Sequence, residues 1–86
     1  MAAKSDSKKG DIATVAFGTA LKRIREASKY HHASDLAKDA GLEPHTYRTY
    51  EAGKAEPRFS TLIRICQLLG VSPNDLLPGN WKDGSR

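Results

Sequence analysis

The sequence predicts a small all-α domain of five short helices, and three observations favour this fold class. Apolar residues recur at spacings of three and four in successive segments, which is typical of one face of a helix. Residues that start and stop helices bound these segments. No stretch alternates apolar and polar residues as a half-buried strand would. A chain of 86 residues is long enough for one domain with a small core.

The first helix is predicted over residues 11–29. Its apolar side chains recur on one face: Val15, Phe17, Leu21 and Ile24. Asp11 or Thr14 can cap the first turn, because a side-chain oxygen accepts hydrogen bonds from the free N–H groups there. The opposite face carries cations: Lys22, Arg23 and Lys29. We therefore expect this helix to pack along one side and to be solvated along the other.

A second and a third helix follow, with a very short connector between them. The second, over residues 33–40, has a stripe of mostly small side chains that lets another helix approach closely: Ala33, Leu36, Ala37 and Ala40. Gly41 follows at once, where a left-handed residue commonly ends a helix. Pro44 suits the first position of the third helix, residues 44–51, because proline has no N–H to leave unbonded. This spacing is that of a helix-turn-helix, two helices that cross steeply over a tight turn containing glycine.

The third helix has an inward and an outward face. Tyr47 and Tyr50 share the face that we expect to pack in the core, and Gly53 ends the helix. The remaining positions form one outward face: Pro44, His45, Arg48 and Thr49. An α-helix fits the major groove of B-DNA, and side chains of this kind reach base edges there. The outward face therefore indicates double-stranded DNA as a partner.

A fourth and a fifth helix complete the predicted domain. Ser60 is expected to cap the fourth helix, whose apolar residues are predicted to form the centre of the core: Leu62, Ile63, Ile65, Cys66, Leu68 and Leu69. Gly70 stops it. The fifth helix begins with Ser72 as cap, Pro73 at its first position and Asp75 at its third, and it reaches Leu77.

The ends of the chain are predicted to be tails. We expect residues 1–11 to form a flexible basic tail, residues 12–79 the DNA-binding domain, and residues 80–86 a C-terminal tail. The three lysines of the first tail could instead lie along phosphates as a basic arm. Half of the formal net charge of +4 lies in residues 1–10, whereas residues 11–58 carry eight basic and seven acidic side chains. The spacing of the helices, rather than the charge, therefore points to nucleic acid.

Other features favour a soluble cytoplasmic protein. No run of about 18 apolar residues could span a membrane, and the N-terminus has no apolar region of a secretory signal. A single cysteine can form no internal disulfide, which fits a reducing compartment. Since we expect no second domain, we also expect no attached small-molecule sensor.

The sequence offers no material for a catalytic or metal site. Four residues with metal-binding side chains lack the spacing of zinc sites: His31, His32, His45 and Cys66. Cys66 lies in the apolar stripe of the fourth helix, where a thiol is inert. No carboxylate pair, phosphate-binding glycine loop or Ser/His/Asp order stands out. We therefore predict no enzyme activity, no cofactor, no metal and no small-molecule substrate.

Several short motifs, in this order and spacing, resemble the lambda-repressor-like (XRE-type) helix-turn-helix family over residues 17–77. The residues that carry the resemblance are Leu36-Ala37, Gly41, Thr46, Tyr50-Glu51, Gly53-Lys54, Pro57, Leu62, Leu69-Gly70-Val71-Ser72 and Leu76-Leu77. The resemblance implies a five-helix lambda-repressor-like DNA-binding domain. It also implies an ion pair between Arg25 and Glu51 that ties the first helix to the third.

The resemblance assigns roles in DNA binding residue by residue. Its base-reading positions match Pro44, His45, Arg48 and Thr49, and its backbone-binding positions match Thr46, Lys54 and Arg58. Arg48 could form a fork onto guanine, and Thr49 could meet a thymine methyl group. Ala33 stands where the family usually has a phosphate-binding glutamine, so that contact would move to Ser34. Glu43 stands where a serine is usual.

The resemblance implies a sequence-specific transcriptional regulator, a repressor that binds as a homodimer. Its site would be pseudo-palindromic, with half-sites roughly 10 bp apart. Family members often make dimer contacts through a C-terminal part, which here includes Leu77 and Trp81. Two alternatives stay open. An antitoxin or a restriction–modification controller uses the same fold, and Ala33, Glu43 and the small charge also fit a protein-interaction module that has lost operator binding.

Overall fold

The structure is a computed structural model, and it describes residues 12–77. Four α-helices follow one another: α1 (Ile12–Glu26), α2 (Ala33–Asp39), α3 (Pro44–Glu51) and α4 (Phe59–Leu69). A single-turn 3₁₀ helix, Pro73–Leu76, comes last. No strand occurs within this range, so the all-α prediction is confirmed. The predicted tails, Asp11 and Trp81 lie outside the described residues.

The first helix is shorter at its end than predicted. α1 stops at Glu26, because Ser28 competes for the backbone: its hydroxyl donates to the carbonyl of Arg25 at 2.6 Å and accepts from the N–H of Tyr30 at 3.0 Å. Thr14 is not a cap, because it lies inside α1 and its hydroxyl donates to Glu56. Val15 was predicted to face the core but is 45% exposed.

The fourth helix begins before the residue predicted to cap it. The N–H of Leu62 donates to the carbonyl of Arg58 at 2.9 Å, so Arg58 occupies the N-cap position and Phe59 is the first helical residue. Ser60 therefore lies within the first turn, and the prediction that it caps the helix is wrong. Gly70 ends α4 in the left-handed region, as predicted.

The predicted fifth helix is confirmed at its start, and it is a 3₁₀ helix. Ser72 and Asp75 form a capping box, in which Ser72 Oγ accepts from the N–H of Asn74 at 3.1 Å and Asp75 Oδ2 accepts from the N–H of Ser72 at 3.0 Å. The N–H of Leu77 donates to the carbonyl of Asn74, three residues back, which is the 3₁₀ pattern. The helix is thus one tight turn, and it places Leu76 in the core.

The core takes one fully buried large side chain from each helix: Leu21, Leu36, Tyr47, Ile65 and Leu76. α3 packs on both α1 and α2, while the 3₁₀ helix packs on α1 and α4. The core is therefore shared, and the prediction that the fourth helix forms its centre is wrong. Ile65 and Cys66 are buried, but the other apolar residues of α4 are only half-buried.

None of the helices within residues 12–77 has the length and apolar character that crossing a membrane requires.

Candidate nucleic-acid interface

The turn between α2 and α3 has the geometry that the sequence predicts. Gly41 adopts a φ of 76°, a left-handed conformation that side chains with a Cβ rarely take. The N–H of Gly41 donates to the carbonyl of Lys38 at 3.1 Å, and the N–H of Leu42 donates to that of Ala37 at 2.8 Å. This pair of bonds ends α2 and reverses the chain. Pro44 occupies the first turn of α3, as predicted.

α3 presents one face to the core and one to solvent. Tyr47 and Tyr50 are buried and meet edge to face, with ring centroids 6.3 Å apart and planes at 80°. Pro44, His45 and Arg48 are exposed. Burial of the two tyrosines therefore fixes which side chains can reach a ligand.

The two threonines of α3 are half-buried. The hydroxyl of Thr49 donates to the carbonyl of Thr46 at 2.6 Å, so its proton is held by the helix itself. The Thr49 oxygen keeps a lone pair for an incoming donor, and its methyl group can make an apolar contact.

An ion pair connects α3 to α1, as the resemblance implies. Arg25 Nε donates to Glu51 Oε2 at 2.6 Å and Arg25 Nη2 donates to Glu51 Oε1 at 3.3 Å, with side chains only 6% and 9% exposed. The hydroxyl of Tyr47 donates to the same carboxylate. The bond to Glu51 raises the pKa of Arg25, whereas burial and then the Glu51 carboxylate raise the pKa of Tyr47. Both groups stay protonated, and α3 is held in one orientation.

The Arg25 guanidinium also binds the linker between α1 and α2. Arg25 Nη1 donates to the carbonyl oxygens of Tyr30 and His31, at 3.1 and 2.9 Å. Tyr30 is buried, and its hydroxyl donates to Asp39 Oδ2 at 2.8 Å. One buried side chain therefore joins α1, the linker and α3.

α1 and α3 approach each other more closely at Gly18 than a side chain allows. A Cβ on Gly18 would lie 2.5 Å from the carbonyl oxygen of Tyr50 and 2.7 Å from that of Glu51. Nearby, Gly53 adopts a φ of 75°, and a Cβ there would lie 2.9 Å from the Cα of Val15. Glycine at both positions thus allows α3 and the turn that follows it to lie this close to α1.

The loop between α3 and α4 carries two exposed cations, Lys54 and Arg58. The N–H of Lys54 donates to the carbonyl of Thr49 at 3.0 Å, so the loop continues directly from α3. Ala55 and Pro57 are half-buried between these cations. Glu56 is exposed and accepts a hydrogen bond from Thr14 at 2.7 Å. The loop is therefore anchored to α1 at its centre.

The structure places the eight predicted site residues on three connected segments. Five are on α3 (Pro44, His45, Thr46, Arg48 and Thr49), two are on the following loop (Lys54 and Arg58), and one, Ser34, is half-buried in the first turn of α2. The exposed side chains of His45, Arg48, Lys54 and Arg58 form no hydrogen bond or ion pair with any residue in the range 12–77. The sequence did not reveal Thr14 and Glu56 as a pair, because they lie 42 positions apart.

A groove and a buried thiol lie away from the outward face of α3. A groove of about 250 Å³ lies between α1, the loop before α4 and the end of the 3₁₀ helix, lined by Ala13, Thr14, Phe17, Glu56, Pro57, Leu62 and Leu77. Pockets for small molecules usually measure about 300–1,000 Å³, so this one is small. Within residues 12–77, no three His, Cys, Asp or Glu side chains come together as a metal would require. Burial raises the pKa of the Cys66 thiol.

Comparison with known proteins gives a match over most of the described range. A family model described as a helix-turn-helix domain matches residues 16–77. The chain is 41% identical over 63 residues to the SPbeta prophage-derived uncharacterized HTH-type transcriptional regulator YonR of Bacillus subtilis strain 168, which covers 73% of this chain and 57% of that protein. The chain spans little more than half the length of the curated relatives it matches.

Solved structures share the fold. The restriction–modification controller protein C.AhdI from Aeromonas hydrophila superposes with a TM-score of 0.68 at 24% identity, covering 73% of this chain and 94% of that one. Hydroxypropylphosphonic acid epoxidase from S. wedmorenis superposes with a TM-score of 0.70 at 33% identity, covering 83% of this chain but only 36% of that one. The same arrangement of helices thus occurs as nearly a whole small protein and as about a third of a larger one.

Proposed function

This chain belongs to the helix-turn-helix domain family, and from that premise we propose that it is a transcriptional regulator that binds double-stranded DNA through α3. The observation that carries the proposal is the outward face of α3, where Arg48 and His45 are exposed while Tyr47 and Tyr50 hold the opposite face in the core. A helix held in this way can enter the major groove without first changing its orientation.

Base recognition falls to the exposed face of α3. Arg48 carries a planar guanidinium that can donate two hydrogen bonds to O6 and N7 of guanine. His45 and Pro44 lie nearer the start of the helix, which is the part that enters the groove first. The Thr49 methyl group can make an apolar contact with a thymine methyl group, while the Thr49 hydroxyl donates to the carbonyl of Thr46.

Phosphate contacts are made by side chains of α2, of the loop after α3, and of Thr46. Lys54 and Arg58 carry the charge, since both are exposed and their side chains make no bond within the described range. Ser34 and Thr46 are half-buried hydroxyls that can donate one hydrogen bond each. Such contacts fix the register of α3 on the duplex without reading the sequence.

The finer part of the proposal is a dimeric cytoplasmic repressor. A two-fold dimer would place two copies of α3 roughly 10 bp apart on a pseudo-palindromic operator, where they would block other proteins. Leu77 is half-buried at the end of the described range, beside the groove, and is the residue on which we expect dimer contacts. Regulation would then follow from protein concentration, proteolysis or a protein partner.

We expect binding to a DNA duplex to weaken steeply with salt. Lys54 and Arg58 from two protomers would displace four counterions, which gives a slope of log K against log salt of about −4. Fluorescence anisotropy of a labelled duplex, over a series of potassium chloride concentrations, measures this slope. A flat slope, or no duplex binding at low salt, would favour the protein-interaction module instead, for which the exposed Glu43 at the start of α3 is the structural argument.

Arg48→Ala is expected to weaken binding to a selected operator by about 1–3 kcal/mol and to relax the preference at one base pair. The physical reason is the loss of a two-pronged hydrogen bond to a base edge. Competition binding with duplexes that vary at each position measures both effects. Arg64→Ala is the matched control, since Arg64 is an exposed arginine on α4. Equal losses on specific and random DNA would show that Arg48 contacts only phosphate.

An antitoxin or a restriction–modification controller remains the alternative within DNA binding. These proteins use the same fold, so the outward face of α3 does not separate them from a repressor. Selection of bound fragments from random DNA would define the operator, whose position relative to genes separates the three. We propose no catalytic role.

A further inference from the structure

The loop proposed to lie on DNA phosphates contains an acid between its two cations. Glu56 is two residues from Lys54 and two residues from Arg58. A free carboxylate at this position would repel phosphates, because charges a few ångströms apart interact across less than one Debye length of about 8 Å at physiological salt. In the sequence alone, Glu56 therefore offsets one of the two positive charges that this loop offers to DNA.

The structure shows what holds this carboxylate. Thr14 Oγ1 donates to Glu56 Oε2 at 2.7 Å, and Thr14 is only 6% exposed on α1. Glu56 also lines the groove beside Phe17 and Leu62, whereas the cationic side chains of the loop are exposed and unbonded within residues 12–77. The Glu56 carboxylate is thus held against α1, while the side chains of Lys54 and Arg58 remain available to bind phosphates.

We propose that Thr14 is a positioning residue that holds the Glu56 carboxylate against α1, so that the loop presents only Lys54 and Arg58 to the phosphates. The inference rests on the proposed function and adds a residue of α1 to the DNA-binding machinery. Without the Thr14 hydroxyl, the Glu56 carboxylate is free to approach the DNA and repel its phosphates. The resulting loss of DNA affinity therefore depends on whether residue 56 is charged.

The test is a double-mutant cycle on DNA binding. Thr14→Val removes the hydroxyl at nearly constant shape and is expected to weaken duplex binding about two- to fivefold at low salt, as for an exposed charge pair. Glu56→Gln removes the charge and keeps an acceptor oxygen. In the Glu56→Gln background, we expect Thr14→Val to cost less than about twofold, because no carboxylate remains to repel the phosphates. Thr14→Ser keeps the hydroxyl and is expected to restore wild-type binding.

Controls separate this effect from a loss of folding. Thr61→Val is the matched substitution on α4 and is expected to leave the affinity unchanged, and thermal unfolding monitors each variant. An equal loss in both backgrounds would show that the pair merely braces the loop and would overturn the proposal, as would no loss at all. If the wild-type chain itself does not bind the duplex, the proposed function fails first, and this inference fails with it.

Discussion

Replacing Glu51 by alanine is expected to lower the free energy of unfolding by about 3–5 kcal/mol, because it leaves the Arg25 guanidinium buried without a counter-charge. Arg25 is 5% exposed, so its charge is poorly solvated once the carboxylate is lost. Tyr47 loses its acceptor at the same time. Folded domains are stable by only about 5–15 kcal/mol, so the variant approaches the limit of folding. Urea denaturation followed by circular dichroism measures the change.

Two further variants show whether the buried charge is the cause. Glu26→Ala removes an exposed carboxylate from α1 and is expected to change the stability by less than about 0.5 kcal/mol. Arg25→Met combined with Glu51→Leu removes both charges and is expected to recover part of the loss, since an apolar pair of similar size can replace a buried ion pair. The recovery is partial because the Tyr47 hydroxyl and the carbonyl oxygens of Tyr30 and His31 still lose their partners. An unchanged melting temperature for Glu51→Ala would contradict the pairing seen here.

Gly18→Ala is expected to destabilise the domain by about 3 kcal/mol, the upper end of the usual cost of overpacking. The added Cβ would lie 2.5 Å from the carbonyl oxygen of Tyr50, and a backbone oxygen cannot rotate aside as a side chain can. α3 would have to move away from α1 to admit it. Operator affinity should therefore fall as well, even in the molecules that remain folded.

The direction of the stability change in Gly18→Ala distinguishes overpacking from helix propensity. Glycine is less favourable than alanine inside a helix by about 1 kcal/mol, so propensity alone predicts that Gly18→Ala stabilises the protein. Thr19 is exposed at the next position, and Thr19→Gly compared with Thr19→Ala measures the propensity difference locally. If Gly18→Ala raised the melting temperature, the close approach of α1 and α3 would be refuted.

Local signals in the sequence predicted the helix-turn-helix because its elements are set by nearby residues. Gly41 permits the left-handed conformation that ends α2, and Pro44 fixes its own φ at a value that suits the first turn of α3. The start of α4 could not be predicted in this way. A serine at position 60 suits a cap, but the first helical hydrogen bond reaches Arg58, because tertiary packing sets where the loop turns into the helix.

The sequence predicts the part of the candidate site that lies on α3 better than the parts on α1, α2 and the loop after α3. Two tyrosines at helical spacing identify the buried face and therefore leave His45 and Arg48 outside. The contact of Thr14 with Glu56 joins segments distant in the chain, and no periodicity or capping rule indicates such a pair. The contacts of Ser34, Lys54 and Arg58 with phosphates stay predictions, since they depend on the position of the DNA.

Arg25 holds the linker between α1 and α2 through carbonyl oxygens, which are the same whatever side chain follows. The side chains of His31 and His32 are exposed and form no bond within residues 12–77. Substitutions at these two positions therefore change the surface without changing the path of the chain. During divergence, positions 31 and 32 can therefore lose all identity while the path of the linker is inherited, because Arg25 binds the linker's carbonyl oxygens and Tyr30 stays buried.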